Sequence, residues 1–218
     1  MANSAEYGPV ATRVLFENDD VRIWEMDLKP GEVCGLHHHT LDYALYILSG
    51  AKVGVESPQH RSYTLEAPTR AAYFIPAGGV EAAHNVGETR FHEALFELKR
   101  PAKPHQQNLG FVGCEALVGQ LPKDGTIHIL ENDRVRISET TLPPGGGYLA
   151  GHRSRDSVAF VIQGSRLKLF ASEGQKASEP ESEESRAPNS VSWQPGGVTN
   201  RIVNIGTGTY RQVLVELK

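Results

Sequence analysis

The chain has 218 residues, 39% apolar and 22% charged, with a formal net charge of −4. Such a composition is globular and excludes a disordered or collagen-like chain, and without a basic block no nucleic-acid or membrane-surface partner is expected. No apolar run approaches the ~20 residues of a membrane span, no signal-type segment opens the chain, and two cysteines, Cys34 and Cys114, are too few for a disulfide framework, so a soluble cytoplasmic protein is expected.

Long helical periodicity is absent. Short apolar or alternating runs follow one another between Gly, Pro, Asn and Asp: VRIWEMDL (21–28), YALYILSG (43–50), AKVGVES (51–57), AAYFIPAGG (71–79) and RFHEALFELK (90–99). Glycine (22) and proline (13) are plentiful, as a chain of many turns requires. This pattern predicts an all-β chain of short strands in a sandwich or barrel.

Between the first two runs lies PGEVCGLHHHTLDYALYILSG (30–50), with three consecutive histidines behind a Pro-Gly turn. Imidazole is the commonest protein ligand for transition metals. Residues two apart on a strand share a side, so His37 and His39 can converge on one ion while His38 faces away.

The chain repeats itself. LFENDDVRIWEMDLKPG (15–31) returns as LENDRVRISETTLPPG (130–145), and PAGGVEAAHNVGETRFHEALFELK (76–99) returns as PGGVTNRIVNIGTGTYRQVLVELK (195–218). The offset is 114 positions at Glu17 and Glu131 but 119 at Pro76 and Pro195. The extra residues of the second copy fall near the acidic, serine-rich run 172–190, read as a solvated loop. Two tandem β-domains follow, 1–100 and 127–218, joined by a linker over 101–126 that has room for a short helix around Cys114–Gln120 and carries a solvent-facing His105.

At these motifs the sequence resembles the cupin superfamily in its two-domain, bicupin form. Its first motif reads G(X)5HXH(X)3-4E(X)6G, and Gly31, His37, His38, His39, Tyr43 and Gly50 fit it with Tyr43 in place of the glutamate. Its second, G(X)5PXG(X)2H(X)3N, is matched from its proline onward by Pro76, Gly78, Glu81 and Asn85, with Glu81 in place of the histidine. The opening ENDxVRIWEMxLxPG and the His-x-His-x-x-Asp-Tyr core are most similar to small cupins associated with β-alanine breakdown. The resemblance implies two jelly-roll barrels, packed as an intramolecular pair, each with an internal metal or ligand pocket.

It also implies a metal site formed by His37, His39 and Glu81. Two imidazoles and one carboxylate form the facial set of non-haem Fe(II) oxygenases, so one divalent metal is expected, Fe(II) favoured, with Zn, Mn or Ni as alternatives. His84 competes with Glu81: strand parity from Pro76 turns Glu81 inward, while a bulge between them would bring in His84 instead. Tyr43 is a poor ligand while its phenol keeps a pKa near ~10; it is either a catalytic residue donating a hydrogen bond into the pocket or an ordinary strand tyrosine. Asp42 and His38 alternate outward. Cys34 is expected to be an inert buried thiol, the matched Glu25 and Glu139 to share a structural role, and His92, opposite Arg211 in the repeat, to be structural or at the surface. His60 and His128 have no ligating spacing.

In the second copy Gly151 stands opposite His37, Arg153 opposite His39, His152 opposite His38, Ser157 opposite Tyr43 and Asn200 opposite Glu81. Glycine has no ligating side chain and a guanidinium repels a cation, so the second barrel is expected to hold no metal. The chain is therefore expected to be a metal-dependent enzyme acting on a small polar molecule with a keto, enol or carboxylate oxygen. The expected reaction is dioxygenation, with isomerase or lyase chemistry, or non-catalytic ligand binding, as alternatives, in a monomer or homodimer.

Overall fold

The computed structural model of the chain describes residues 7–107, 109–114, 125–149, 154–171, 182–197 and 200–218. The chain divides into two compact units, Met1–Val118 and Gly119–Lys218. In the first, ten strands form among the described residues, in order: β1 (Arg13–Glu17), β2 (Val21–Leu28), β3 (Val33–His38), β4 (Tyr43–Ser49), β5 (Ala51–Glu56), β6 (Tyr63–Ala67), β7 (Ala72–Ile75), β8 (Val80–Asn85), β9 (Phe91–Leu98) and β10 (Val112–Cys114). They make a six-stranded sheet, β1-β2-β9-β4-β7-β10, and a four-stranded sheet, β3-β8-β5-β6. The chain passes repeatedly from one sheet to the other, which is the path of a jelly roll. Inward residues of both sheets, among them Met26, Leu45, Ile47, Val53, Phe91 and Leu95, pack into one core.

The second unit repeats this plan with β11 (Gly125–Glu131), β12 (Val135–Leu142), β13 (Gly147–Leu149), β14 (Ser157–Gln163), β15 (Ser165–Ala171), β16 (Ser182–Arg186), β17 (Val191–Gln194), β18 (Asn200–Asn204) and β19 (Tyr210–Leu217). Its sheets run β11-β12-β19-β14-β17 and β13-β18-β15-β16.

The repeated residues do matching structural work. The Asn18 side chain accepts hydrogen bonds from the backbone N–H groups of Asp20 and Val21 at 2.9 Å, and Asn132 does the same for Arg134 and Val135 at 2.8 and 2.9 Å, closing each first hairpin. Glu17 meets Arg22 and Lys99, as Glu131 meets Arg136 and Lys218. Buried Asn85 donates to the carbonyls of Leu28 and Thr89, both at 2.8 Å, and Asn204 donates to those of Leu142 and Gly208. Gly31 and Gly145 turn at φ +83° and +78°, where a side chain would strain the backbone. Gly50 and Gly164 close their motifs because a Cβ there would collide with the carbonyl oxygens of Ala67 and Arg186.

Three boundaries differ from the sequence reading. The expected linker is partly strand: β10 pairs antiparallel with β7, Gly113 opposite Tyr73. Cys114 ends that strand rather than starting a helix, and residues 115–120 lie outside the described residues. The serine-rich run is not loop throughout, for β16 pairs with β15, Lys168 opposite Glu183. There Glu183 takes ion pairs from Arg166 at 3.2 Å and Lys168 at 3.1 Å, cross-strand charges that a composition argument does not register.

Candidate metal centre

The site depends on a bulge. Along the β3–β8 pair, Val33 faces His84 and Cys34 faces Ala83, but His37 then faces Glu81, so β3 carries one extra residue around Gly35 and Leu36. Cys34 and Ala83 both belong to the core. With strict alternation His37, three positions beyond Cys34, would point out of the barrel; the bulge reverses its parity and turns it inward across from Glu81. The bulge also orients the ring. His37 Nδ1 lies 2.8 Å from the Gly35 carbonyl oxygen; a carbonyl only accepts, so Nδ1 carries the proton and Nε2 keeps its lone pair for an ion.

Ligand atoms of His37, His39 and Glu81 lie within 4.8 Å of one another. Both imidazoles are 1% exposed. The His39 Nε2 stands 3.6 Å from Glu81 Oε1, and the His39 Nδ1 is buried without a partner. Burial lowers the pKa of His37, which keeps it neutral as a ligand must be. For Glu81, burial works to raise the pKa, but the imidazoles of His39, 3.6 Å away, and of His37 prevail and hold it below the usual carboxylate range. Two neutral-capable imidazoles and an ionised carboxylate, with one buried ring nitrogen unpartnered, fit a divalent transition metal.

Tyr43, buried at the start of β4, stacks on His39 with centroids 4.0 Å apart and planes 14° apart. Burial, then the charges of Glu81 and Glu93, push its phenol well above its ordinary pKa, so it is a neutral hydroxyl. His84 is opposite Gly54 and Val33, on the alternate side of β8 from Glu81, and does not join the cluster. His38 tilts against Tyr7, away from the core. Asp42 accepts the Ala77 N–H at 3.0 Å and so holds the turn before β8; Asp156 holds Gly196 in the same way. Burial raises the Cys34 thiol to about 11, leaving it protonated and inert. Buried Glu25 pairs with His92 at 2.9 Å, and Arg211 pairs with Glu139 at the matching place, both structural ties. His105 is exposed and His128 bonds Ser138.

Two features escaped the sequence reading. The β5–β6 loop closes over the turn before β8 through Gln59, which donates to the Gly78 carbonyl and accepts from the Val80 N–H. It brings His60 and Tyr63 within electrostatic reach of Glu81, whose side chain is 26% exposed and so marks the open end of the site. The second is Glu93 on β9, 4% exposed, whose pKa burial and the Glu81 charge raise to about 8. Its signal was the alternation Phe91, Glu93, Leu95 in a strand whose other two members are core.

In the second unit the residues opposite His37, His38 and His39, namely Gly151, His152 and Arg153, lie outside the described residues, as does the side chain of Asn200. Ser157, opposite Tyr43, is fully buried. Among the described residues no helix is long and apolar enough to cross a membrane.

No family model and no curated protein matches the sequence. The fold has close counterparts among solved structures. AerE from Microcystis aeruginosa superposes with a TM-score of 0.68 at 11% identity, covering 98% of this chain and 96% of its own. An oxalate decarboxylase of Bacillus subtilis gives 0.64 at 12% identity over 99% of this chain and 79% of its own. The protein Ylba from E. coli gives 0.63 at 9%, over 91% and 77%. These likenesses establish the cupin jelly-roll fold for the chain.

Proposed function

We propose that the first barrel is a metal-dependent catalytic site acting on a small molecule that bears a keto, enol or carboxylate oxygen, and that its reaction is a dioxygenation. The observation that carries this reading is the convergence of His37, His39 and Glu81 donor atoms within 4.8 Å on the core side of the bulged strand. A 2-His-1-carboxylate set leaves coordination positions open, and a divalent metal held there supplies Lewis-acid polarisation of a substrate oxygen and, as Fe(II), the capacity to use O2. His37 is oriented for this by the Gly35 carbonyl, and Tyr43 holds the plane of His39 by stacking. The Tyr43 hydroxyl keeps its proton and is available to donate to substrate. The substrate enters at the Glu81 side, beside His60 and Tyr63. The second barrel serves as scaffold, because Gly151 and Arg153 replace the two histidines.

A second reading, isomerase or lyase chemistry with Zn, Mn or Ni, is favoured by Glu93, an inward acid suited to moving protons. Elemental analysis of protein purified without chelators or a polyhistidine tag tests the metal. One equivalent per chain is expected, lost in the His37→Ala, His39→Ala double variant and in Glu81→Ala but kept in His84→Ala. Two equivalents, or one surviving the double variant, would refute the asymmetry. Turnover of keto acids and enols by the Fe(II)-loaded protein, with and without air, then separates the reactions. Loss of substrate matched by loss of O2 supports dioxygenation; product formed without O2 supports the second reading.

A further inference from the structure

Glu93 sits on the inward face of β9 between core residues Phe91 and Leu95, opposite Met26 of β2 and Ile47 of β4. It makes no hydrogen bond or ion pair among the described residues. Glu97, four positions along the same face, shows what a provided-for carboxylate has here: the Trp24 Nε1–H at 2.6 Å and Arg22 at 3.5 Å. A buried polar group without a partner is costly, so such groups persist where something else completes them.

The second barrel sharpens this. The residue matching Glu93 is Gln212, also buried, and it accepts from the Tyr210 hydroxyl at 2.7 Å and from Arg186 at 3.4 Å. The positions matching Tyr210 and Arg186 in the first barrel are Phe91 and Ala67, as the pairings of Ala51 with Ala67 and of Ser165 with Arg186 show. Both barrels keep an inward polar group at this place, and among the described residues only the second surrounds it with protein partners. Its neighbours Phe91, Leu95 and Ile47 pack in one core cluster with Cys34 and with Tyr43, which stacks on His39, and from that side Glu93 acts electrostatically on Cys34, Tyr43 and Glu81.

We propose that Glu93 is a substrate-contacting acid of the first barrel, hydrogen-bonding an oxygen of the molecule held beside His37, His39 and Glu81. This rests on the metal-site reading for the position of that molecule. An ionised Glu93 beside ionised Glu81 would repel a carboxylate; with its proton retained, as burial favours, Glu93 donates to one. The occupant then has two oxygen-bearing ends, as keto acids, diacids and enolisable diketones have.

The test uses the full chain loaded with Mn(II) and three probes: pyruvate, malonate and acetylacetone. Parent, Glu93→Gln and Glu93→Leu are compared by metal content, by calorimetric affinity and by infrared difference spectroscopy of the protonated carboxyl band that Glu93→Gln removes. Metal content is expected to be unchanged in both variants, which also reports an intact barrel. For at least one probe, Glu93→Gln should bind within about threefold of the parent and Glu93→Leu about tenfold more weakly. The same probe should shift the carboxyl band. Parent-like affinity in Glu93→Leu, or a band that none of the probes moves, overturns the proposal. The infrared measurement is repeated on metal-free protein, so a parent that takes up no metal defeats the metal reading while the band still decides the role of Glu93.

Discussion

Replacing Asn85 by alanine separates what holds the barrel from what serves the site. The Asn85 side chain is fully buried and makes three hydrogen bonds: to the Leu28 and Thr89 carbonyls at 2.8 Å each, and from the Gly87 N–H at 3.1 Å. Each contributes about 1 kcal/mol net, and the Leu28 carbonyl, buried and stripped of its partner, costs about 1–3 kcal/mol more. A loss of about 4–6 kcal/mol results, a large share of the ~5–15 kcal/mol typical of a domain. Asn204 makes the matching three bonds, to Leu142 and Gly208 and from Gly206, and also accepts from the Ser165 hydroxyl at 2.7 Å, so Asn204→Ala should cost the second unit at least as much. The two variants differ in function. The backbone of Asn85 ties β8 to Gly31 and Glu32 ahead of β3, and β8 also carries Glu81. Asn85→Ala should therefore weaken metal binding, and Asn204→Ala should leave it unchanged. Denaturant unfolding read through Trp24 for the first unit and Trp193 for the second measures the stability loss, and metal titration measures the rest. A loss below about 1 kcal/mol in either unit, or equal metal affinity in the two variants, would refute the reasoning.

Tyr43→Phe keeps the ring that stacks on His39 and removes only the hydroxyl, so metal content should hold while turnover falls; loss of metal would show phenolate ligation. Gly50→Ala forces a methyl against the Ala67 carbonyl and should destabilise the first unit by about 1–3 kcal/mol, read as a lower unfolding midpoint. Hydrogen bonds from Arg22 and Lys99 lower the Glu17 carboxyl from 4.5 to about 2 in the folded state. A depressed acid stabilises above its unfolded pKa and loses that contribution as pH falls through the folded value. The stability advantage of the parent over Glu17→Gln should thus be complete near neutrality and shrink between about pH 4.5 and about pH 2, as acid titrations of unfolding would show; a constant difference across that window contradicts it.

Much of this protein is local and so readable from its residues. Strands are legible where apolar residues alternate: β2, β4 and β9 begin and end within a residue of the runs 21–28, 43–50 and 90–99. The repeat announces two similar units because its shared residues are those that close turns and hairpins, Asn18 with Asn132, Gly31 with Gly145, Asn85 with Asn204. The candidate donor residues are legible in part, since His-x-His spacing offers His37 and His39 and the parity from Pro76 favours Glu81 while leaving His84 as the alternative. Their convergence is another matter. It needs the extra residue in β3 around Gly35 and Leu36, and a bulge is a property of two paired strands, invisible in the alternation of either one. The same physics hid β10 and β16, short or charged strands held by partners distant in sequence, Ala72–Phe74 and Ser165–Leu169. It hid Glu93 too: charge on a strand reads as a solvated face until two sheets close over it, and only that closure turns a glutamate between phenylalanine and leucine into a buried acid on the core face.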